Sequence, residues 1–268
     1  MDAALFFTEQ PFLSLTGNIL FSGGIDMRIV WNEQSTRWFH DASRYTGYNR
    51  ELKKLLLPLI PGRGTLCDIG CGAGLIDLEL APQFGRITCV DISPAALESL
   101  QADIQELGIP NIDVLCADGE ALTGQWDTVI ALFHGGRDAC GKYLRLAREQ
   151  LILVTHSSLR GSFGPETNQV RRCFDVASTE AWLKEAGVCY HLTEHSLEYG
   201  QPFRDRQDAF AFLRAYTAGM TEDALERHLD RVLTSTGDPE FPFYLPKKKE
   251  FGIFLIRRAE NPFFEANG

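Results

Sequence analysis

The 268-residue chain is poor in what several protein classes require. No apolar run approaches the roughly 20 residues of a membrane-spanning helix, so no membrane partner is expected. Its opening, Met1-Asp2-Ala3-Ala4-Leu5-Phe6-Phe7, carries an acid where a secretory leader carries Lys or Arg, which makes a cytoplasmic location the expectation. Positive charge is scarce: 26 Lys and Arg stand against 36 Asp and Glu, a net charge of −10. Such a surface repels a phosphate backbone at long range, so no nucleic acid partner is expected either. The one dense basic run, Lys247-Lys248-Lys249, reads as a solvated loop. Seven cysteines form no CxxC pair, which argues against zinc, and no metal is expected. Cys67, Cys89 and Cys116 fall inside apolar runs, where a free thiol acts as a small hydrophobe. No internal repeat or low-complexity tract is present.

What the sequence does have is alternation. From Gly64 to Ser158, short apolar runs alternate with helical periods, the pattern of a parallel sheet covered by helices. The strands expected are Thr65–Ile69, Ile87–Ile92, Asp113–Ala117, Thr128–Phe133 and Leu151–His156, apolar enough to be buried on both faces. One helix is sharply marked: Ser93 as its cap, Pro94 in its first turn, Leu97, Leu100, Ile104 and Leu107 as its stripe, and Gly108 at its end. Before the sheet, Glu33–Ile60 reads as helical, closed by Pro58 and Pro61. After it come a helix at Ser178–Ala186, a strand at Val188–Leu192, helices at Asp208–Tyr216 and Thr221–Leu233, a loop at Asp238–Pro246 and a last strand at Phe251–Ile256.

The segment that carries chemistry is Leu66-Cys67-Asp68-Ile69-Gly70-Cys71-Gly72-Ala73-Gly74, a buried strand running through a glycine turn into a helix. Glycines let the main chain approach a ligand closely, and at the carboxyl edge of a parallel sheet this builds the floor of a cleft. The next strand ends in Asp91, whose carboxylate can accept hydrogen bonds from both hydroxyls of an adenosine ribose. The third ends in Ala117-Asp118-Gly119, placed to receive an adenine amino group. The fourth ends in Leu132-Phe133-His134, facing the same crevice. A dinucleotide fingerprint would need a small residue at Leu75, whereas the third glycine here is Gly74, one place early.

This ordered set resembles the class I S-adenosylmethionine-dependent methyltransferases. Their acid and G-x-G-x-G turn match Asp68, Gly70, Gly72 and Gly74. Asp91 matches their ribose-binding acid, Asp118 the Asp after their third strand, and Trp126-Asp127 with Leu132 their fourth strand. The resemblance implies an α/β fold: a Rossmann-like doubly wound sheet of about seven strands, mostly parallel with the last antiparallel, plus an N-terminal helical lead-in and a helical insertion before the last strand. The expected division is a lead-in or cap at 1–60, a cofactor-binding core at 61–200, an insertion serving as substrate cap at 201–246, and the last strand and tail at 247–268.

It further implies S-adenosylmethionine as cofactor, S-adenosylhomocysteine as product and a small-molecule acceptor. Asp68, Gly70, Cys71, Gly72, Gly74, Asp91, Ile92, Ala117, Asp118, Gly119 and Leu132 are the expected cofactor residues. From the lead-in, Trp38 and Tyr45 are candidates to cover the cofactor's methionine end, Tyr45 the better one because a phenol tolerates a polar cleft. His134 is the candidate general base by position; the alternative is that it packs on the methionine portion without moving a proton. His156 is a weaker candidate, and His40, His191 and His195 default to surface or satisfied core. Arg44, Arg160 and Arg204 are candidates to meet an acidic substrate, though lone arginines default to surface charges. The competing readings are a non-catalytic cofactor-binding module and a nicotinamide-dependent dehydrogenase, the latter disfavoured by Leu75 and Gly74.

Overall fold

The computed structural model describes residues 31–157, 163, 175–217 and 220–262. The lead-in is two helices, α1 (Glu33–Thr46) and α2 (Tyr48–Leu56), where the sequence pattern suggests one segment. They part at Gly47, which takes φ +68° and ends α1 through its N–H to the Ser43 carbonyl. An Asn32–Ser35 capping box opens α1.

The core then alternates strand and helix: β1 (Thr65–Ile69), α3 (Leu75–Leu80), β2 (Arg86–Asp91), α4 (Pro94–Leu107), β3 (Ile112–Cys116), β4 (Trp126–Leu132), α5 (Arg137–Leu146), β5 (Ala147–His156) and α6 (Val176–Glu185). Helix α4 carries the expected Ser93 and Gly108 caps, but Leu107 of its stripe is exposed. After α6, Val188–Tyr190 is not strand: the Asn261 side chain pins the Cys189 backbone at both its N–H and its carbonyl, and β6 begins only at His191 (His191–Glu198). The chain continues through β7 (Gln201–Phe203), α7 (Arg206–Tyr216), α8 (Glu222–Val232), β8 (Thr234–Ser235), β9 (Phe243–Leu245) and β10 (Lys248–Arg257).

Seven strands form one sheet in the order β3-β2-β1-β4-β5-β10-β6. The first five are mutually parallel, and β10 runs antiparallel between β5 and β6. Alternate strand residues feed two cores, one per face. Leu66, Ile87, Ile130 and Ile152 pack with α2, α3 and α4; Cys67, Val90, Val129 and Leu151 pack with α5 and α6. Strand order reverses at β1, with β2 on one side and β4 on the other, and a sheet of this kind opens its crevice there, at the carboxyl ends.

The insertion is less helical than expected, because β7, β9 and β8 make a small antiparallel sheet inside it and claim part of the Pro-rich loop. Its own core gathers Phe203, Phe212, Leu213, Leu225 and Leu229 around Trp38 from α1. Asp208 locks the two parts together, accepting two bonds from Arg37 (2.6 and 3.2 Å) and one from Trp38 Nε1 at 2.9 Å. Asp208→Ala leaves the buried indole N–H without an acceptor and is expected to cost about 1–3 kcal/mol. Urea denaturation would register this as a lowered midpoint; an unchanged midpoint would refute the lock.

The lysine run is a correction. Lys248 and Lys249 are strand, with Lys249 opposite Leu197 of β6. By strand alternation Lys249 shares a face with Phe251 and Ile253, both buried in the core. Cys116 also departs from expectation, since it lies exposed at the end of β3 while Cys67 and Cys89 are buried. Among the described residues, no helix is long and apolar enough to cross a membrane, and no His, Cys, Asp and Glu side chains group in a way that could hold a metal ion.

Candidate active site

The turn after β1 stands at the crevice. Gly70 and Gly72 take φ +78° and +57°, which side-chain-bearing residues rarely adopt. Gly70 and Cys71 donate to the Val90 carbonyl at 2.7 and 3.1 Å, tying the turn to β2. Asp91 completes the tie: Oδ2 accepts from Gly72 N–H at 2.9 Å and Oδ1 from Ser93 N–H at 2.8 Å. Each oxygen keeps a second acceptor position, enough for two ligand hydroxyls. Ile92 beside it is exposed.

Past β3, Asp118 Oδ1 accepts from Glu120 N–H at 2.9 Å, and Gly119 packs so tightly on Ile69 that any side chain would collide. Past β4, the His134 ring lies against Gly70, in the space a Cβ would need. It also stacks parallel on Tyr143 at 6.4 Å. Burial lowers the His134 pKa, opposed by the carboxylates of Asp91, Asp118 and Glu120, so the imidazole is neutral near pH 7. Leu132, half-buried at the end of β4, completes the arc. Gly70, Asp91, Asp118 and His134 thus converge on one crevice from four strand ends.

Tyr45 belongs elsewhere. Its ring packs on Phe241 and Tyr244, centroids 5.8 and 5.0 Å away, and Trp38 is buried in the insertion core. The lead-in side chain over the turn is Trp31, whose ring a Cβ on Gly72 would meet at 2.7 Å. Nothing in the local pattern singles out Trp31, because its position depends on where α1 docks.

Beneath the turn, Asp68, expected among the cofactor residues, is paired with Asp77, which sequence reasoning missed. Asp68 and Asp77 are both buried and face each other within hydrogen-bond reach, with the Cys89 thiol also acting on Asp77. Burial, then the neighbouring Asp77, holds the Asp68 carboxyl well above the usual range, and burial pushes Asp77 up to about 7. The available signal was an acid on the apolar stretch Leu75-Ile76-Asp77-Leu78.

His40 meets Ser99 and Asp103, His191 meets Glu260, and His195 meets Thr193. Arg44 pairs with Glu240, and Arg204 with Asp41; both guanidiniums also lie over Phe241, so neither is free for an acidic ligand. Arg160 lies outside the described residues.

An adenosyl ligand fits this set on two observations: a glycine turn at the carboxyl end of β1 held at positive φ, and an acid beside it with acceptor capacity to spare. The comparisons agree with that chemistry. A family model described as a methyltransferase domain matches residues 66–151. The chain is 30% identical over 139 residues to a probable cobalt-precorrin-6B C(15)-methyltransferase of Methanothermobacter thermautotrophicus, covering 48% of this chain and 72% of that protein. It is 39% identical over 89 residues to ribosomal RNA small subunit methyltransferase C of Shewanella halifaxensis, covering 31% of this chain and 26% of that one. Several of the curated relatives are matched over less than a third of their length. In fold, the crystal structure of YcgJ from Bacillus subtilis is similar with a TM-score of 0.52 at 17% identity, covering 76% of this chain and 98% of that one. The chain belongs to the class I S-adenosylmethionine-dependent methyltransferase family.

Proposed function

We propose that this chain transfers the methyl group of S-adenosylmethionine to a small-molecule acceptor. One observation carries the reading: Asp91 holds the glycine turn through Oδ2 and the start of α4 through Oδ1, and each oxygen keeps a second acceptor position for a ligand hydroxyl. In this reading Gly70, Cys71, Gly72 and Gly74 floor the site, Asp91 with Ile92 holds the ribose, and Ala117, Asp118 and Gly119 receive the adenine. Trp31 takes the covering part expected of Tyr45. The bound cofactor supplies an already activated methyl on a sulfonium. What remains for the chain is to hold the acceptor in line with that methyl and exclude water.

A small acceptor rather than RNA is supported by the net charge of −10 and by the precorrin relative, although a ribosomal RNA enzyme also matches. In this reading the insertion, fastened to α1 through Asp208, caps the acceptor. A reducing, cytoplasmic setting is part of the proposal, supported by the described cysteines all being free, with Cys67, Cys89 and Cys140 buried. The test is calorimetry with S-adenosylmethionine, S-adenosylhomocysteine and NAD, then radiolabelled methyl transfer to panels of small hydroxy, amino and carboxylic acceptors and to RNA. Binding of the two adenosyl compounds but not NAD, with label entering a small acceptor, is expected. Binding without transfer to any acceptor would instead favour a non-catalytic module.

His134 fits a packing role better than a base, because its ring is spent against Gly70 and Tyr143. His134→Ala is accordingly expected to weaken S-adenosylhomocysteine binding about fivefold, ~1 kcal/mol of lost contact, with turnover at saturating cofactor little changed. A large fall in turnover at intact affinity would reverse the assignment.

A further inference from the structure

Beside the cofactor crevice, four elements converge on one half-buried lysine. The Lys249 ammonium lies 3.4 Å from the Phe133 ring centroid, 4.4 Å from that of Tyr199 and 5.4 Å from that of Tyr48. These rings come from the end of β4, the end of β6 and the start of α2. Lys249 makes no ion pair or hydrogen bond with any described residue; aromatic faces are what it has in place of a carboxylate. Its neighbours are basic: Lys247 lies within electrostatic reach of it, and both lysines act on His156. Burial, then Lys247, lowers Lys249 to about 7, and burial, then the lysines, lowers His156 to about 4.

Two further observations point to a ligand. Among the described residues, the buried Tyr48 hydroxyl has no hydrogen-bond partner, and neither has that of Thr155, one residue before His156. Buried hydroxyls left unpaired cost stability, so they are retained where something else uses them. Phe133 takes φ +55°, the one non-glycine residue at positive φ among the described residues. Such strain costs on the order of 1–3 kcal/mol and collects at functional sites. The strained turn sets the Phe133 ring against His156 at 4.7 Å, Phe251 at 5.8 Å and Lys249. Phe133 directly precedes His134, whose ring rests on Gly70, so the caged lysine borders the crevice on the side away from Asp91 and the ribose.

We propose that Lys249, with the Tyr48 hydroxyl and His156 beside it, anchors a carboxylate carried by the methyl acceptor, which makes the acceptor an organic acid with an apolar body. An incoming carboxylate supplies the missing counter-charge and an acceptor for Tyr48, while Phe133 and Tyr199 flank the apolar part. This rests on the methyl-transfer reading of the neighbouring crevice, and the test keeps the two apart.

Wild type, Lys249→Met and Lys249→Arg would be titrated calorimetrically with benzoate, 4-hydroxybenzoate and indole-3-acetate, each against its primary amide. Titrations run with and without saturating S-adenosylhomocysteine, whose own affinity is measured first. Wild type is expected to prefer at least one acid over its amide by about tenfold or more, as a charge-assisted contact should. Lys249→Met should abolish that preference, and Lys249→Arg should restore part of it, with S-adenosylhomocysteine affinity within about twofold of wild type in both. Equal binding of acids and amides by wild type, no binding of any acid, or a preference that survives Lys249→Met would overturn the anchor. If Lys249→Met fails to fold, the acid-to-amide ratio of wild type still decides. Failure of S-adenosylhomocysteine to bind wild type would overturn the cofactor reading instead, and the titrations without it would still report on the anchor.

Discussion

Replacing Asp91 by alanine is expected to weaken S-adenosylhomocysteine binding by about 1.5–3 kcal/mol, roughly 10- to 150-fold. Two losses combine. The ribose hydroxyls lose a charged acceptor, and the Gly72 and Ser93 N–H groups lose the carboxylate that fastens the turn to β2 and opens α4. Calorimetry on the folded variant is the measurement. Asp91→Asn retains one acceptor oxygen and should fall between alanine and wild type. Affinity within twofold of wild type for Asp91→Ala would remove Asp91 from the site.

Asp77→Asn is expected to change the pH dependence of stability strongly. Asp77 has an unfolded pKa near 3.9 and a folded one of about 7, so between these values the folded state holds a proton that the unfolded state has released. The Asp77 contribution to stability must therefore fall as pH rises from about 4 to about 7, then level off. The ceiling on this loss is about 4 kcal/mol, from three pKa units at 1.36 kcal/mol each, and relaxation around the pair reduces it. An amide at position 77 removes this titration and can donate to Asp68. The variant should be more stable than wild type at pH 8, and the two curves should approach each other near pH 4. Urea denaturation at several pH values tests it. A constant gap between the curves would mean that Asp77 does not titrate in that window.

The central sheet was legible because strands buried on both faces show as near-continuous apolar runs, and β1 to β5 fell within a few residues of expectation. Helix α4 was legible because its caps are local: Ser93, Pro94 and Gly108 act within one turn of the ends they mark. The glycine turn and Asp91 were likewise legible from spacing along one strand-turn-helix unit. What escaped depends on distant partners. Tyr45 and Trp38 are candidates by sequence for the methionine end of the cofactor but face the insertion, since the docking of α1 is set by Asp208, some 170 positions on. Asp77 reads as one acid among apolar residues until Asp68 is seen beside it. Lys249 reads as one of three solvated lysines, because composition ignores which face of a strand a side chain takes. The alternation Lys249, Phe251, Ile253 was the signal available, and it was outweighed by the density of charge.

The placement of β10 bears on how the molecule is made. Strands β5 and β6 do not touch as neighbours; each pairs with β10, which is the last strand in the described chain. A polypeptide emerging from the ribosome can assemble the half of the sheet that cradles the adenosyl group well before residue 248 appears. It cannot seat β6, or bury Phe251 and Phe254, until that late segment threads into the gap. The same segment delivers Lys249 to the crevice. Synthesis thus has a built-in order: a nascent chain can acquire its cofactor pocket early, while the acceptor side is assembled only when the sheet is whole.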